Sequence, residues 1–261
     1  MRPGRLAGTL AAVAGATAAV HALPALASLP ALRRTLTPAL AGQGRSDHVA
    51  LTLDDGPDPL STPRFLRLLE GRDLRATFFL LGSMVQHSPG LAKELVAAGH
   101  EIGLHGYQHR CLLLRGPADT YDDLARGRDT VEAATGIELR WFRPPYGVLT
   151  TATLIATRRL GLTPVLWTAW GRDWSARATP SSVERIVRAD LRGGGTILLH
   201  DSDCTSAPGA WHSTLGALPR LLDHCARRGW AVGPLAEHGI SPAVPRPRVP
   251  ADRRPAPSTG T

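Results

Sequence analysis

Two adjacent carboxylates, Asp54 and Asp55, end an apolar run on a Gly56-Pro57 turn. Like charges side by side at a strand end are unfavourable to bury unless a cation, a proton or an arginine compensates them. Four other places in the chain hold candidates for that compensation. His105 and His109 lie four residues apart directly after Leu104, so two imidazoles can face one ion with a carboxylate such as Asp55 as third ligand. Arg143 opens Arg143-Pro144-Pro145-Tyr146-Gly147, where a guanidinium can fork onto a carboxylate and a Tyr-Gly peptide can aim a backbone amide at a reacting oxygen. Asp173-Trp174 joins an acid to an aromatic ring, and His200-Asp201 follows the apolar run Ile197-Leu198-Leu199. Each cluster alone reads equally well as a turn, a cap or a solvated strand end. Together they supply the parts of one mechanism.

The elements that must position these groups follow from hydrophobic period. From His48 onward, short β-rich runs alternate with stretches of helical spacing. The pattern predicts strands at 48–54, 76–81, 101–104, 139–142, 163–168, 196–200 and 230–233. Helices are expected at 61–70, 89–98, 117–135, 151–160, 180–191 and 212–228, several opened by Ser-Pro or Thr-Pro and closed by Gly99, Gly161 or Gly229. Seven strands alternating with helices predict an α/β fold with a parallel sheet. All five polar clusters sit at or just past carboxyl ends of strands, and a closed or nearly closed β/α barrel brings five such ends to one face.

The 261 residues suffice for one large core. Of the net charge of +8, residues 1–44 hold +4 and residues 240–261 hold +3, leaving the body at 45–239 near +1. A nucleic-acid binder needs a basic folded face, so that class is set aside. After Arg2 and Arg5, the stretch Leu6 to Leu32 has no Lys, Arg, Asp or Glu, and Ala25-Leu26-Ala27 fits a small-residue cleavage site. Residues 1–44 are therefore expected to be an export signal or, uncleaved, a membrane anchor, plus a linker. The Pro- and Arg-rich residues 240–261 read as a disordered tail. Cys111, Cys204 and Cys225 are an odd set, which leaves open one disulfide with a spare thiol or three free thiols.

Read in order, Thr52 to Pro57, His105 to His109, Arg143 to Gly147, Asp173-Trp174 and Leu198 to Asp201 resemble the five signature motifs of the polysaccharide deacetylase family, carbohydrate esterase family four. Its catalytic unit is the NodB homology domain, and the resemblance spans about residues 48–235. It implies a distorted (β/α)7 barrel and a metal-dependent hydrolase that removes acetyl groups, usually from N-acetylglucosamine in chitin-like or peptidoglycan chains. The alternatives are an O-acetyl esterase of xylan-like chains, an amidase of another acyl group, and a carbohydrate-binding pseudoenzyme using Trp167, Trp170, Trp174 and Trp211 as sugar platforms.

Carried over by position, the resemblance implies that Asp55, His105 and His109 hold a divalent metal, most often zinc in the family. Asp54 would be the general base, paired with Arg143; His200 would be the general acid, oriented by Asp173. The Tyr146 amide would stabilise the oxyanion, and Trp174, Leu198 and Pro145 would shape the acetyl pocket. The partners implied are an acetylated glycan, no nucleic acid, and a membrane only through an uncleaved N-terminal segment; the expected state is an exported monomer. Three departures stand out: Leu53 for a usual Phe, Gly106 for a usual Ser or Thr, and Trp170 where an Asp often precedes Asp173. Gly106 is expected to loosen the metal loop. A Cys111–Cys204 disulfide would restore part of that stiffness.

Overall fold

A computed structural model of the chain describes residues 3–242, with side chains described at residue 12 and from residue 14 onward. Most of the tail expected at 240–261 lies outside the described residues. The N-terminal part forms α1 (Pro3–Ala22), a 3-10 turn (Leu23–Ser28) opened by Pro24, and α2 (Pro30–Leu36). The body then alternates β1 (His48–Asp54), α3 (Thr62–Glu70), β2 (Thr77–Leu80), α4 (Gly82–His87), α5 (Pro89–Ala97), β3 (Glu101–Leu104), α6 (Pro117–Thr135), β4 (Trp141–Phe142), α7 (Thr151–Arg159) and β5 (Thr163–Pro164). It continues with β6 (Ala169–Trp170), α8 (Pro180–Asp190), β7 (Thr196–His200), α9 (Trp211–Arg227) and β8 (Ala231–Gly233).

Every ladder is parallel, and the strand order is β5-β4-β3-β2-β1-β7-β6. β8 pairs with His48–Ala50 of β1 while β2 pairs with Thr52–Asp54. All seven residues of β1 are buried, as a strand covered on both faces requires. The period of two sorts them: Val49, Leu51 and Leu53 join the large core between sheet and helices, whereas Ala50 packs inside the curl with Phe79, Trp141, Val165 and Leu235. Thr52 and Asp54 share that inner face.

The result is a curled parallel sheet short of a closed ring, because no ladder joins β5 to β6 among the described residues. The strand expected at 163–168 is two short ones, with Val165–Thr168 outside the sheet. Its backbone is satisfied otherwise. Leu166 N donates to Leu40 O at 2.7 Å, Arg33 Nη2 donates to Trp167 O at 2.5 Å, and Arg34 Nη2 donates to Thr168 O. Arg143 donates to Val165 O and Leu166 O at 3.4 and 3.0 Å. The N-terminal segment thus fills the gap in the barrel. Helix α4 was not foreseen either: its six residues are too few for a periodic signal. No single described helix is long and apolar enough to cross a membrane; the bent pair Ala14–Ser28 and Pro30–Leu36, meeting at 91°, reaches that length and composition only jointly.

At the end of the sheet away from the polar clusters, two buried histidines lock the N-terminal segment to the last turn. His238 Nε2 donates to Gly42 O and Gly194 O, both at 3.1 Å, so its Nδ1 is left to accept from His48 Nδ1 at 2.9 Å. A neutral pair satisfies this arrangement. Burial depresses both: His238 to about 4, and His48 below its ordinary 6.5. The unfolded chain therefore binds protons that the fold refuses, and stability present above pH 6.5 is lost as pH falls toward 4. The thermal midpoint is expected to drop over that window, less steeply in His48→Gln; a flat profile would contradict the assignment.

Candidate active site

Parallel register places the polar clusters on one rim. Asp54 lies opposite His200 across the β1–β7 ladder, Leu80 opposite Leu104, and Leu104 opposite Phe142. His105 and Arg143, each one residue past a strand end, therefore arrive beside Asp54. A cleft of about 480 Å³ opens there, lined by Asp54, His105, His109, Tyr146, Trp174, Leu198 and His200 among others.

Asp55, His105 and His109 offer one ligand atom each within 4.8 Å of one another. Asp55 Oδ1 lies 3.4 Å from His105 Nε2 and 3.7 Å from His109 Nε2. His105 and Asp55 are pre-aimed by hydrogen bonds. His105 Nδ1 donates to Arg143 O at 2.8 Å, which leaves the Nε2 lone pair facing inward. Thr205 Oγ1 donates to Asp55 Oδ2 at 2.5 Å, while Oδ1 is buried with no hydrogen-bond partner. Burial and the neighbouring His105 push His109 down to about 4, so it is a neutral donor at physiological pH. Burial alone would raise Asp55, but His200, His105 and His109 outweigh it and hold the carboxyl below its usual range. An anionic oxygen without a partner, facing two imidazole lone pairs, fits a divalent cation. Asp55 reaches this position at φ 81, a left-handed backbone costly for Asp.

Asp54 is engaged differently. Arg143 Nη1 donates to Asp54 Oδ1 at 2.7 Å and to Thr52 Oγ1 at 2.6 Å, and both members of the ion pair are almost fully buried. The guanidinium also lies 4.1 Å over the Phe79 ring. Asp54 Oδ2 points the other way, 3.8 Å from His105 Nε2. Across the cleft, Asp173 Oδ1 accepts from His200 Nδ1 at 2.9 Å, and Asp173 Oδ2 accepts from the His200 backbone amide and Thr214 Oγ1 at 2.8 and 2.6 Å. Burial would discharge His200, yet the Asp173 carboxylate overrides it and pushes the imidazole up to about 10. Its Nε2 is free to face the cleft. Tyr146 sits at φ 59, and the turn bonds run from Gly147 N to Pro144 O and Val148 N to Pro145 O, bypassing its own amide.

Several expectations need correction. Pro145 is buried and packs toward Gly106, while Pro144 lines the cleft in its place. Trp211 is buried on α9 against His212 and Arg64, away from the cleft that Trp167, Trp170 and Trp174 line. All three cysteines are free thiols; Cys204 Sγ lies 3.5 Å from Asp55 O, and no Cys111–Cys204 bridge forms. The Gly106 loop is pinned despite its missing hydroxyl. Gly82 N and Ser83 N donate to Gly106 O and Tyr107 O at 2.9 Å each, and Asp123 Oδ2 accepts from Tyr107 N at 3.1 Å. Gly106 has φ 101, and Gly127 on α6 approaches so closely that a Cβ there would lie 2.9 Å from Gly106 C. Sequence reasoning missed Thr205, although it stands four residues past Asp201, and missed Asp123 and the α4 amides, which lie outside the motifs in the chain. Asp201, expected beside His200, points behind the site: Thr62 Oγ1 donates to it at 2.5 Å, and burial raises it to about 7.

The Arg143–Asp54 pair yields a stability prediction. Arg143→Met leaves Asp54 buried and uncompensated, so urea unfolding should show a loss of ~3–5 kcal/mol. Adding Asp54→Asn should return part of it; simple additivity of the two changes would refute the coupling.

Comparison with known proteins agrees with this geometry. The sequence model described as polysaccharide deacetylase matches residues 41–165. A chitooligosaccharide deacetylase of Bradyrhizobium sp. (strain ANU 289) is 35% identical over 197 residues, 72% of this chain and 89% of the relative. A peptidoglycan-N-acetylglucosamine deacetylase of Bacillus cereus is 33% identical over 185 residues, 70% of this chain and 83% of the relative. Among solved structures, a family 4 carbohydrate esterase from Streptomyces lividans in complex with acetate superposes with TM-score 0.66 at 29% identity, covering 76% of this chain and 100% of that one. The chain belongs to the polysaccharide deacetylase family and is a deacetylase of that class.

Proposed function

We propose that the protein is an exported enzyme that hydrolyses N-acetyl groups of N-acetylglucosamine residues in a chitin-like or peptidoglycan glycan, with zinc as its metal. The observation that carries this reading is the unequal fate of the two adjacent carboxylates: Asp55 keeps a bare oxygen toward His105 and His109, while Asp54 is fixed by Arg143 with its second oxygen toward the cleft. Neither a binding module nor a structural protein needs that division.

When bound, a divalent ion supplies Lewis-acid polarisation of the acetyl carbonyl and acidifies a water. The residues of the chain do the rest. Asp54 Oδ2 accepts the proton of the attacking water, and Arg143 keeps the carboxylate oriented while its charge is spent. The Tyr146 amide, held outward by its left-handed turn, donates to the oxygen that becomes negative. His200, charged through Asp173, gives its proton to the departing nitrogen, which would otherwise leave poorly as an amide anion. Trp174 and Leu198 line the cleft where the acetyl methyl must lie, and the exposed Trp174 face offers a sugar ring a stacking surface.

Export rests on the uncharged Leu6 to Leu32 stretch after Arg2 and Arg5 and on the small residues Ala25-Leu26-Ala27.

Acetate release from acetylated chito-oligosaccharides and peptidoglycan fragments by the zinc-loaded protein tests the reading. Asp54→Asn should reduce it by ~10²–10⁴-fold while zinc binding persists; full activity in that variant removes Asp54 as base. Glycan binding without acetate release under any divalent metal would favour the pseudoenzyme. Zinc should raise the thermal midpoint of the parent chain, and Asp55→Asn or His109→Ala should abolish that rise. Because His200 acts protonated and Asp173 sustains its charge, Asp173→Asn should move the alkaline limb of kcat/KM to lower pH. An unmoved limb would detach Asp173 from the acid.

A further inference from the structure

The cleft has a wall that does not come from the catalytic domain. Ser28, Pro30 and Arg33, from the segment around α2, line it beside Trp167 and Trp170. Arg33 is only 3% exposed, yet it belongs to no ion pair among the described residues. Its Nη atoms donate to the neutral carbonyls of Ala27, Ser28 and Trp167 at 3.5, 3.4 and 2.5 Å, and its Nε has no partner. The guanidinium stacks 5.1 Å from the Trp167 ring centroid, and Trp167 in turn lies 6.0 Å from Trp170. Trp170 Nε1, a donor only, is also buried without a partner. One wall of the cleft therefore holds a buried guanidinium, a full positive charge with no counter-ion among the described residues.

Burying a guanidinium without an anion is costly, and here the nearest charges make it worse. Burial, Arg34 and Arg143 together depress Arg33 to about 10, with no carboxylate opposing them; it stays charged at physiological pH. The acids of the site are already engaged: Asp54 by Arg143, Asp173 by His200, and Asp55 by Thr205 and the two imidazoles. What is missing from this wall is an anionic acceptor supplied from outside. A carboxylate matches it, since its two oxygens suit the planar fork of a guanidinium and its charge compensates the cation.

We propose that Arg33 is a specificity-determining residue that binds a carboxylate on the sugar adjoining the acetylated residue, so that the substrate is an acidic glycan. The proposal rests on the deacetylase reading and narrows its substrate class. It also makes the segment after the leader part of the enzyme: a cut after Ala27 leaves Ser28, Pro30 and Arg33 attached.

Two kinds of acidic neighbour are tested: N-acetylglucosamine linked to a muramyl residue with a free lactyl carboxylate, and N-acetylglucosamine linked to a hexuronic acid, each beside its neutral methyl ester. With the zinc-loaded full chain, kcat/KM should favour one free acid over its ester by about tenfold or more. Arg33→Gln should bring that ratio close to one, and Arg33→Lys should retain part of it. The neighbour that shows the preference identifies the source of the carboxylate. A ratio near one in the parent chain, or a preference that survives Arg33→Gln, overturns the proposal. So does an equal loss on acid and ester, which would mean that Arg33 merely anchors its segment. If no probe releases acetate, the deacetylase reading fails separately. Titration calorimetry then decides on Arg33, expecting tighter binding of acid than ester in the parent chain and equal binding in Arg33→Gln.

Discussion

The buried Arg143–Asp54 ion pair is the interaction on which the rest of the site depends. Its guanidinium reaches three places at once, the inner face of β1 through Thr52 and Asp54, the irregular stretch after β5 through two carbonyls, and the Phe79 ring, while the Arg143 backbone oxygen accepts from the His105 imidazole. A sheet that stops short of closure leaves carbonyls without ladder partners, and Arg143 consumes two of them. One residue thereby ties β1 to the stretch after β5, compensates the charge of Asp54 and fixes the tautomer of His105. Desolvating a guanidinium and a carboxylate together is costly, and only this many simultaneous bonds make the burial tolerable.

Around that pair the site is organised by neighbours that pull titrating groups apart. Burial acts on all of them, but its sign of action on the net result differs because the nearest charge differs. Asp55 stays anionic against burial because three histidines face it, whereas His200 stays cationic against burial because Asp173 grips it. His109, with another imidazole beside it, is driven neutral. An anionic carboxylate, a neutral imidazole and a cationic imidazole thus coexist within one cleft. Two strained residues, Asp55 and Tyr146, turn their groups toward the same space, at a backbone cost that the packed rim absorbs.

The parallel alternation and the convergence of five polar clusters were legible in the chain because each was a local pattern: a period, a strand end, a short motif. Where the reading failed, the cause was non-local. The strand at 163–168 stops at Pro164; beyond it the Val165 and Leu166 carbonyls accept from Arg143 and the Leu166 amide donates to Leu40, contacts supplied by distant parts of the chain. Gly106, read as a loosening, sits at a positive φ that favours glycine, and Asp123 with the α4 amides supplies the stiffness. The cysteines near the rim stayed unpaired because Cys204 turns toward the Asp55 backbone.

By itself the sequence determined the fold class, the identity of the chemical groups and their order along the rim, since strand period, turn residues and motif spacing are properties of neighbours in the chain. Only the tertiary structure decided which oxygen of which carboxylate is bare, which imidazole is charged, and that the segment around α2 places Arg33 in the cleft. Those outcomes depend on distances of a few ångströms between residues as many as 150 apart in the chain, such as Asp55 and Thr205, and on the burial that makes such distances count.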